Sequence, residues 1–279
     1  MDFMDADVLS CSNKLKYGLW VERASMDKKQ TATIINISNI KATCKECALR
    51  EHCIPQGLDE ADLGALDRVV KRRRKLKKGD LLYRAGDPLR SLFAIFSGSI
   101  KTTGLMEDGR AQVTGFYLSG ELLGIDAINS ARHPCTAEAL ESSEVCEIPY
   151  PALEELAQHV PHLQHHLFQI MSREIARDEQ MLLMLGRMSA EERLAACLLS
   201  FFRRQARLGL NGRDLKLSML RQDLGDYLGL ALETVSRLFS RFQEEGLIKV
   251  EGRHIQLRDP ARLEALANGS AGSHHSRQN

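Results

Sequence analysis

Three cysteines fall within ten residues, as Cys44-Lys-Glu-Cys47, five further residues and then Cys53, and Ile54-Pro55 closes the segment. Thiolates are soft ligands that suit zinc and iron–sulfur clusters, and four of them hold either centre. A fourth ligand must therefore come from elsewhere. Of the remaining cysteines, Cys11 lies near the N-terminus, Cys197 sits in an apolar helical run from Leu194 to Phe202, and Cys135 and Cys146 lie in a strand-rich region. Spacing does not choose between those last two. Free cysteine is often a small buried hydrophobe, which suits Cys197. Cys44, Cys47 and Cys53 stand instead among Lys41, Lys45, Glu46, Arg50 and Glu51, a poor setting for a core. A thioredoxin-type Cys-x-x-Cys would open a helix in a βαβ unit, and the sequence has no such pattern.

A second constellation lies between Leu220 and Phe242. Leu224 and Leu228 are four apart, Gly229 breaks the run, and Val235, Leu238 and Phe242 recur at three and four, a helix-turn-helix pattern. Its second helix carries Glu233, Ser236 and Arg237 at i, i+3 and i+4, on one face. Arg bonds guanine O6 and N7, Glu accepts from cytosine N4, and Ser touches base or phosphate. The alternative for Glu233 and Arg237 is an ion pair on a solvated helix. Leu247 to Val250 and His254 to Leu257, joined by Glu251-Gly252, predict a hairpin that serves as the wing. Residues 187–258 hold 13 Lys and Arg against 9 Asp and Glu, which places a positive surplus there although the whole chain is near neutral at +1. Leu220 and Ala231, before the two helices, offer no capping oxygen; Ser218 is the predicted substitute.

The elements that carry these groups follow from punctuation and period. At 279 residues, with 43% hydrophobic and 27% charged residues, the chain is long enough for two ordinary domains and is no low-complexity polymer. No window reaches 18 uninterrupted apolar residues and the acidic start MDFMDADVLS lacks the features of a secretory signal, which predicts a cytoplasmic location without a membrane anchor. Glycines at 79, 86, 98, 104, 109, 115, 120 and 124 separate short apolar runs, the mark of an antiparallel β-barrel or jelly roll. After Pro161 a long helix is predicted, with Phe168, Met171, Ile175, Asp178, Leu182 and Leu185 alternating at three and four. That is the seam of a two-stranded coiled coil in a homodimer, or else one face packed on its own domain. Asp178 is its exception: two such carboxylates meeting across a symmetric seam weaken association and make the dimer adjustable.

The predicted organisation is α+β: an extension over 1–40, a cysteine-rich segment over 41–60, a β domain over 61–160, the seam helix over 161–186, a winged helix-turn-helix over 187–258 and a polar tail over 259–279. The run Lys71-Arg72-Arg73-Arg74-Lys75-Leu76-Lys77-Lys78 is read as a solvated edge abutting the first strand rather than a nucleic-acid site. A jelly-roll enzyme is the rival from another class, but His-x-His and paired carboxylates are missing from the predicted strands, and His133 reads as a loop residue, so no catalytic residue is assigned. A DNA-binding protein whose cysteines form a structural zinc site is the second rival.

From Cys44 to Leu257 the chain resembles the CRP/FNR transcription regulators, and among them the oxygen-sensing members. The resemblance rests on Cys44-x2-Cys47-x5-Cys53-Ile54-Pro55, Val145-Cys146-Glu147-Ile148-Pro149, Ala190-Glu191-Glu192-Arg193-Leu194-Ala195 and Leu232-Glu233-Thr234-Val235-Ser236-Arg237. It implies a cyclic-nucleotide-binding-like jelly roll and Cys146 as the fourth ligand. It also implies one oxygen-labile [4Fe–4S] cluster per subunit, held by Cys44, Cys47, Cys53 and Cys146. The Arg-Ser pair that binds the phosphate of cyclic AMP is missing from Ala131 to Ala137, so cyclic AMP is not expected. By the same resemblance the partners are double-stranded DNA with TTGAT-type inverted half-sites and RNA polymerase, with activation at some promoters and repression at others. The implied cycle is a cluster-stabilised DNA-binding dimer without oxygen that becomes monomeric when oxygen attacks the cluster, so that anaerobic metabolism is regulated.

Overall fold

Short apolar runs between turns close into a β-roll because each strand alternates its side chains between two faces and neither face is left bare. The computed structural model describes residues 43–106, 108–209 and 213–269; the expectations for residues 1–40, for Cys11 and for the last ten residues lie outside them. Helix α1 (Glu60–Val69) starts where the Asp59 side chain accepts from the Asp62 amide at 2.8 Å. It is followed by β1 (Arg72–Leu76), β2 (Leu81–Tyr83), β3 (Ser91–Ser97), β4 (Ser99–Leu105), β5 (Ala111–Leu118), β6 (Leu122–Leu123), β7 (Thr136–Ala139) and β8 (Ser143–Pro149). They form two antiparallel four-stranded sheets, ordered β1-β8-β3-β6 and β2-β7-β4-β5. Leu76, Phe93, Ile95, Ile100, Ala137, Ala139 and Val145 come from both sheets and share one buried core. The basic run does not precede the first strand; it forms it. Strand β1 lies at the sheet edge paired with β8, where like charges oppose edge-to-edge association.

The outer face of the β1-β8-β3-β6 sheet is also covered. Leu92, Ala94 and Ile148 point away from the roll and pack with Ile54, Leu58, Leu63, Leu66, Leu153 and Leu163. These come from the cysteine segment, from α1, from α2 (Tyr150–His159) and from α3 (Pro161–Arg187). Pro161 stands in the first turn of α3, where its missing N–H costs nothing. No described helix is long and apolar enough to cross a membrane.

Beyond α3 come α4 (Ala190–Arg207), β9 (Asp214–Lys216), α5 (Arg221–Leu228), α6 (Leu232–Glu244), β10 (Ile248–Glu251), β11 (His254–Leu257) and α7 (Pro260–Ala267). Ser189 and Glu192 cap α4 reciprocally: Glu192 N donates to Ser189 Oγ at 3.3 Å, and Ser189 N to Glu192 Oε2 at 2.8 Å. Strands β10, β11 and β9 form a small antiparallel sheet. The predicted tail over 259–279 is corrected by α7: Asp259 caps it through the Arg262 amide at 3.0 Å, and Leu263 is fully buried in the same core as α4. Leu263 and Ala267, four apart, were the sequence signal for this helix. Truncating Leu263 to Ala leaves a cavity in that core and should lower unfolding free energy by about 2–5 kcal/mol, read from the denaturant midpoint at unchanged slope.

Candidate cluster site and nucleic-acid interface

Strand alternation decides which cysteine meets the loop. In β8, Val145 enters the roll core, so Cys146 points outward, in register with Arg73 on β1 and Ala94 on β3. Cys146, Cys44 and Cys53 pack against the same apolar cluster outside the roll. The loop folds by local turns: the Cys47 amide donates to the Cys44 carbonyl at 3.2 Å, Arg50 N to the Cys47 carbonyl at 3.0 Å, and Gln56 N to the Cys53 carbonyl at 3.0 Å. The Cys44 amide donates to Asp67 Oδ1, tying the loop to α1, and Lys45 pairs with Glu60 at 3.3 Å. Gly120, at φ +87°, admits the loop: a Cβ there would stand 2.9 Å from the His52 carbonyl.

The four thiols influence one another electrostatically. Burial pushes the Cys53 thiol up to about 12, with the Ile54 amide opposing and negative charge on Cys146 and Cys47 adding to the rise. Cys44 is raised further, by burial, then by the Asp67 carboxylate and by Cys53 and Cys146. Burial also raises Cys146, while the Arg73 guanidinium opposes it by charge and hydrogen bonding. Burial thus favours the protonated form of Cys44, Cys53 and Cys146, and binding a soft metal centre would release those protons. Cys44, Cys47, Cys53 and Cys146 are all free and half-buried, and by donor chemistry four such sulfurs suit an iron–sulfur cluster. Among the described residues no group of His, Cys, Asp and Glu is drawn close enough to hold a single metal ion. Cys135 lies apart, buried inside the roll with its sulfur 3.3 Å from Asp126 Oδ2, and Cys197 lies on the buried face of α4. His133 is a loop residue that is buried rather than solvated, its ring stacked 3.7 Å from that of Tyr83.

The loop rests on the seam helix. Ile54 packs with Leu163 and Ile170, and His166 Nε2 lies 3.2 Å from the Cys53 carbonyl, a contact the sequence did not announce. On the helix's other side Phe168, Ile175 and Leu182, seven residues apart, are 60%, 61% and 72% exposed, and Asp178 is exposed between them. Met171 and Leu185 are half-buried, and Leu183 adds a further exposed apolar side chain. Glu121 joins the turn beside Gly120 to two helices, accepting from Arg204 of α4 (2.7 and 2.5 Å) and Arg177 of α3 (3.5 Å). Burial pushes the Glu121 carboxyl up, yet the two guanidiniums outweigh it and hold it below its ordinary value.

Helices α5 and α6 meet at Gly229, which takes the left-handed conformation (φ 65°) as the cap of α5. Glu233, Ser236 and Arg237 are all exposed on α6, with Val235, Leu238 and Phe239 buried behind them. No Glu233–Arg237 ion pair forms among the described residues; Arg237 donates instead to Thr234 Oγ1 at 3.4 Å. Arg221 of α5 covers the Phe239 ring at 3.1 Å and braces the two helices. The predicted cap Ser218 is otherwise engaged, at 2.5 Å from Ser99 of the roll, and Asp223 takes the Leu220 amide at 2.8 Å. Asp223 also accepts from Lys101 of β4 at 2.8 Å, and Phe116 of β5 meets the rings of Phe201 and Tyr227 edge-on.

Residues 73–160 match the cyclic nucleotide-binding domain and residues 192–266 the Crp-like helix-turn-helix domain. The transcriptional activator protein Anr of Pseudomonas protegens is 46% identical over 230 residues, 82% of this chain and 94% of that protein. The fumarate and nitrate reduction regulatory protein of Escherichia coli is 45% identical over 224 residues, 80% of this chain and 90% of that protein. The structure of FixK2 from Bradyrhizobium japonicum aligns at a TM-score of 0.64 and 32% identity, covering 70% of this chain and 96% of that one. The chain belongs to the CRP/FNR family of DNA-binding transcription regulators, and its function is regulatory rather than enzymatic.

Arg237→Ala should weaken operator binding by about 1–3 kcal/mol and relax discrimination at one base pair of each half-site. Titrations against single-base operator variants at fixed salt test this; a loss equal for all sequences would assign Arg237 to phosphate instead.

Proposed function

We propose that this regulator senses oxygen through a [4Fe–4S] cluster held by Cys44, Cys47, Cys53 and Cys146, and converts cluster occupancy into dimerisation and DNA binding. The observation that carries the reading is a juxtaposition. The loop that shares its surroundings with Cys146 rests, through Ile54 and the Cys53 carbonyl, on the side of α3 opposite the exposed apolar row. When bound, the cluster supplies an oxygen-reactive centre that ties the loop thiolates to strand β8. With the loop held, Leu163, His166 and Ile170 stay covered and α3 keeps one orientation, presenting Phe168, Ile175 and Leu182 to a second subunit. With the loop released, that support is lost, and repulsion between the two Asp178 side chains favours separation. Burial already raises the Asp178 carboxyl, with Arg177 opposing, and a symmetric partner adds a like charge.

The dimer then places two α6 helices on successive major grooves, and we assign Glu233, Ser236 and Arg237 to the reading of TTGAT-type inverted half-sites. RNA polymerase is the proposed further partner, and the cytoplasm the proposed location. The roll is not proposed to take cyclic AMP: the stacked Tyr83 and His133 rings and the Cys135–Asp126 contact occupy its interior.

Protein purified without oxygen should be brown, contain iron and sulfide, and bleach in air with release of dimer to monomer. A colourless anoxic protein carrying zinc would replace sensing by a structural metal. Asp178→Ala should shift the air-exposed protein toward dimers in sedimentation, and an unchanged monomer fraction would remove the carboxylate from the mechanism.

A further inference from the structure

Three buried side-chain nitrogens or oxygens among the described residues lack a hydrogen-bond partner: Arg50 Nε, Arg73 Nε and His133 Nδ1. The two guanidinium nitrogens belong to the neighbourhood of the four cysteines. Arg50 lies in the loop between Cys47 and Cys53, and its charge is compensated by Glu51 Oε1 at 3.5 Å and the Leu58 carbonyl at 3.3 Å. Arg73 has no such compensation. On β1 its neighbours are provided for: Arg74 donates to the Leu82 and Leu81 carbonyls at 3.3 and 3.4 Å, and Lys75 pairs with Glu144 at 3.6 Å. Arg73 forms no salt bridge among the described residues. Its guanidinium lies 3.4 Å from the centre of the Phe96 ring, and its cross-strand partner is Cys146.

A buried guanidinium nitrogen left without a partner is costly, and an anion arriving beside it relieves that cost. Edge protection, which accounts for the rest of the basic run, asks for solvated charge and does not explain a guanidinium held over an aromatic ring across from a cysteine. We propose that Arg73 is the charge-compensating donor of the thiolate site, clamped by Phe96 and directing its N–H groups and positive charge at the sulfur of Cys146. This rests on the four-cysteine cluster reading above. Donors to sulfur and nearby charge govern how firmly such centres are held. Arg73 is thus a positioning residue for the cluster rather than a ligand, and its geometry is set before any metal arrives, because β1 pairs with β8 along the whole of β1.

The test uses the full chain loaded with its cluster and kept without oxygen throughout. A chelator is added, and loss of the visible chromophore is timed for wild type, Arg73→Lys and Arg73→Gln. Arg73→Gln should assemble the chromophore and lose it on the order of 10-fold faster, with Arg73→Lys between it and wild type. Apo-protein circular dichroism and thermal midpoints should match across the series, separating an effect on the site from one on β1. If Arg73→Gln does not fold, the lysine variant alone decides, since it keeps the charge and forfeits the planar N–H fork. Brown wild type and variants that lose colour at equal rates would overturn the assignment of Arg73 alone. A wild type that is colourless when prepared without oxygen would overturn the cluster reading and this inference with it.

Discussion

The two-faced character of strand β8 underlies the rest of the molecule. Because side chains alternate at period two, burying Val145 in the roll obliges Cys146 to stand on the opposite surface, where Leu92, Ala94 and Ile148 already demand cover. The cysteine loop supplies part of that cover through Ile54 and Leu58. A one-residue slip of β8 would send the cysteine into the core and a valine toward the loop. The apolar core therefore sets the face that Cys146 takes, while the Cys44–Asp67 and Lys45–Glu60 contacts tie the loop to α1.

The same apolar layer connects the site to the helix that presents the seam. Leu163 and Ile170 are buried under the loop, while Phe168, Ile175 and Leu182 lie bare on the far side, so one helix has an inner face that feels the loop and an outer face suited to a second subunit. Glu121 adds a polar junction between the roll turn, α3 and α4, and its two arginines leave the half-buried carboxylate satisfied. From there Phe116 and the Lys101–Asp223 pair seat the DNA-binding helices on the roll. The path from thiols to reading helix is a continuous set of packed groups rather than a flexible tether.

Much of this was legible in residue order. The three-cysteine loop, the heptad row, the turn at Gly229 and the wing all follow from spacing, because each depends on neighbours within a few turns of chain. The misreadings have equally physical causes. The basic run reads as a solvated edge before the first strand yet is that strand: its charge masks a strand in which Leu76 is the buried apolar residue. The tail beyond residue 258 concealed α7, whose apolar signal is short, and Ser218 looked like a cap because its partner Ser99 is 119 positions away. Neither Arg73 against Phe96 nor His166 against the Cys53 carbonyl has any local signature.

By itself, then, the amino-acid order determined which chemistry is available: soft sulfur donors near the front, an apolar heptad row broken by one aspartate, and a Glu-Ser-Arg face on a helix after a glycine turn. It left Cys135 and Cys146 as equals, because distance along a chain says nothing about distance across a fold. In the fold they differ: Cys135, just before β7, is buried in the roll beside Asp126, while the register of β8 against β1 and β3 turns Cys146 toward the loop. Proximity of remote groups is a property of packing, and packing is what brings Cys146 to the cysteine loop and the loop to α3.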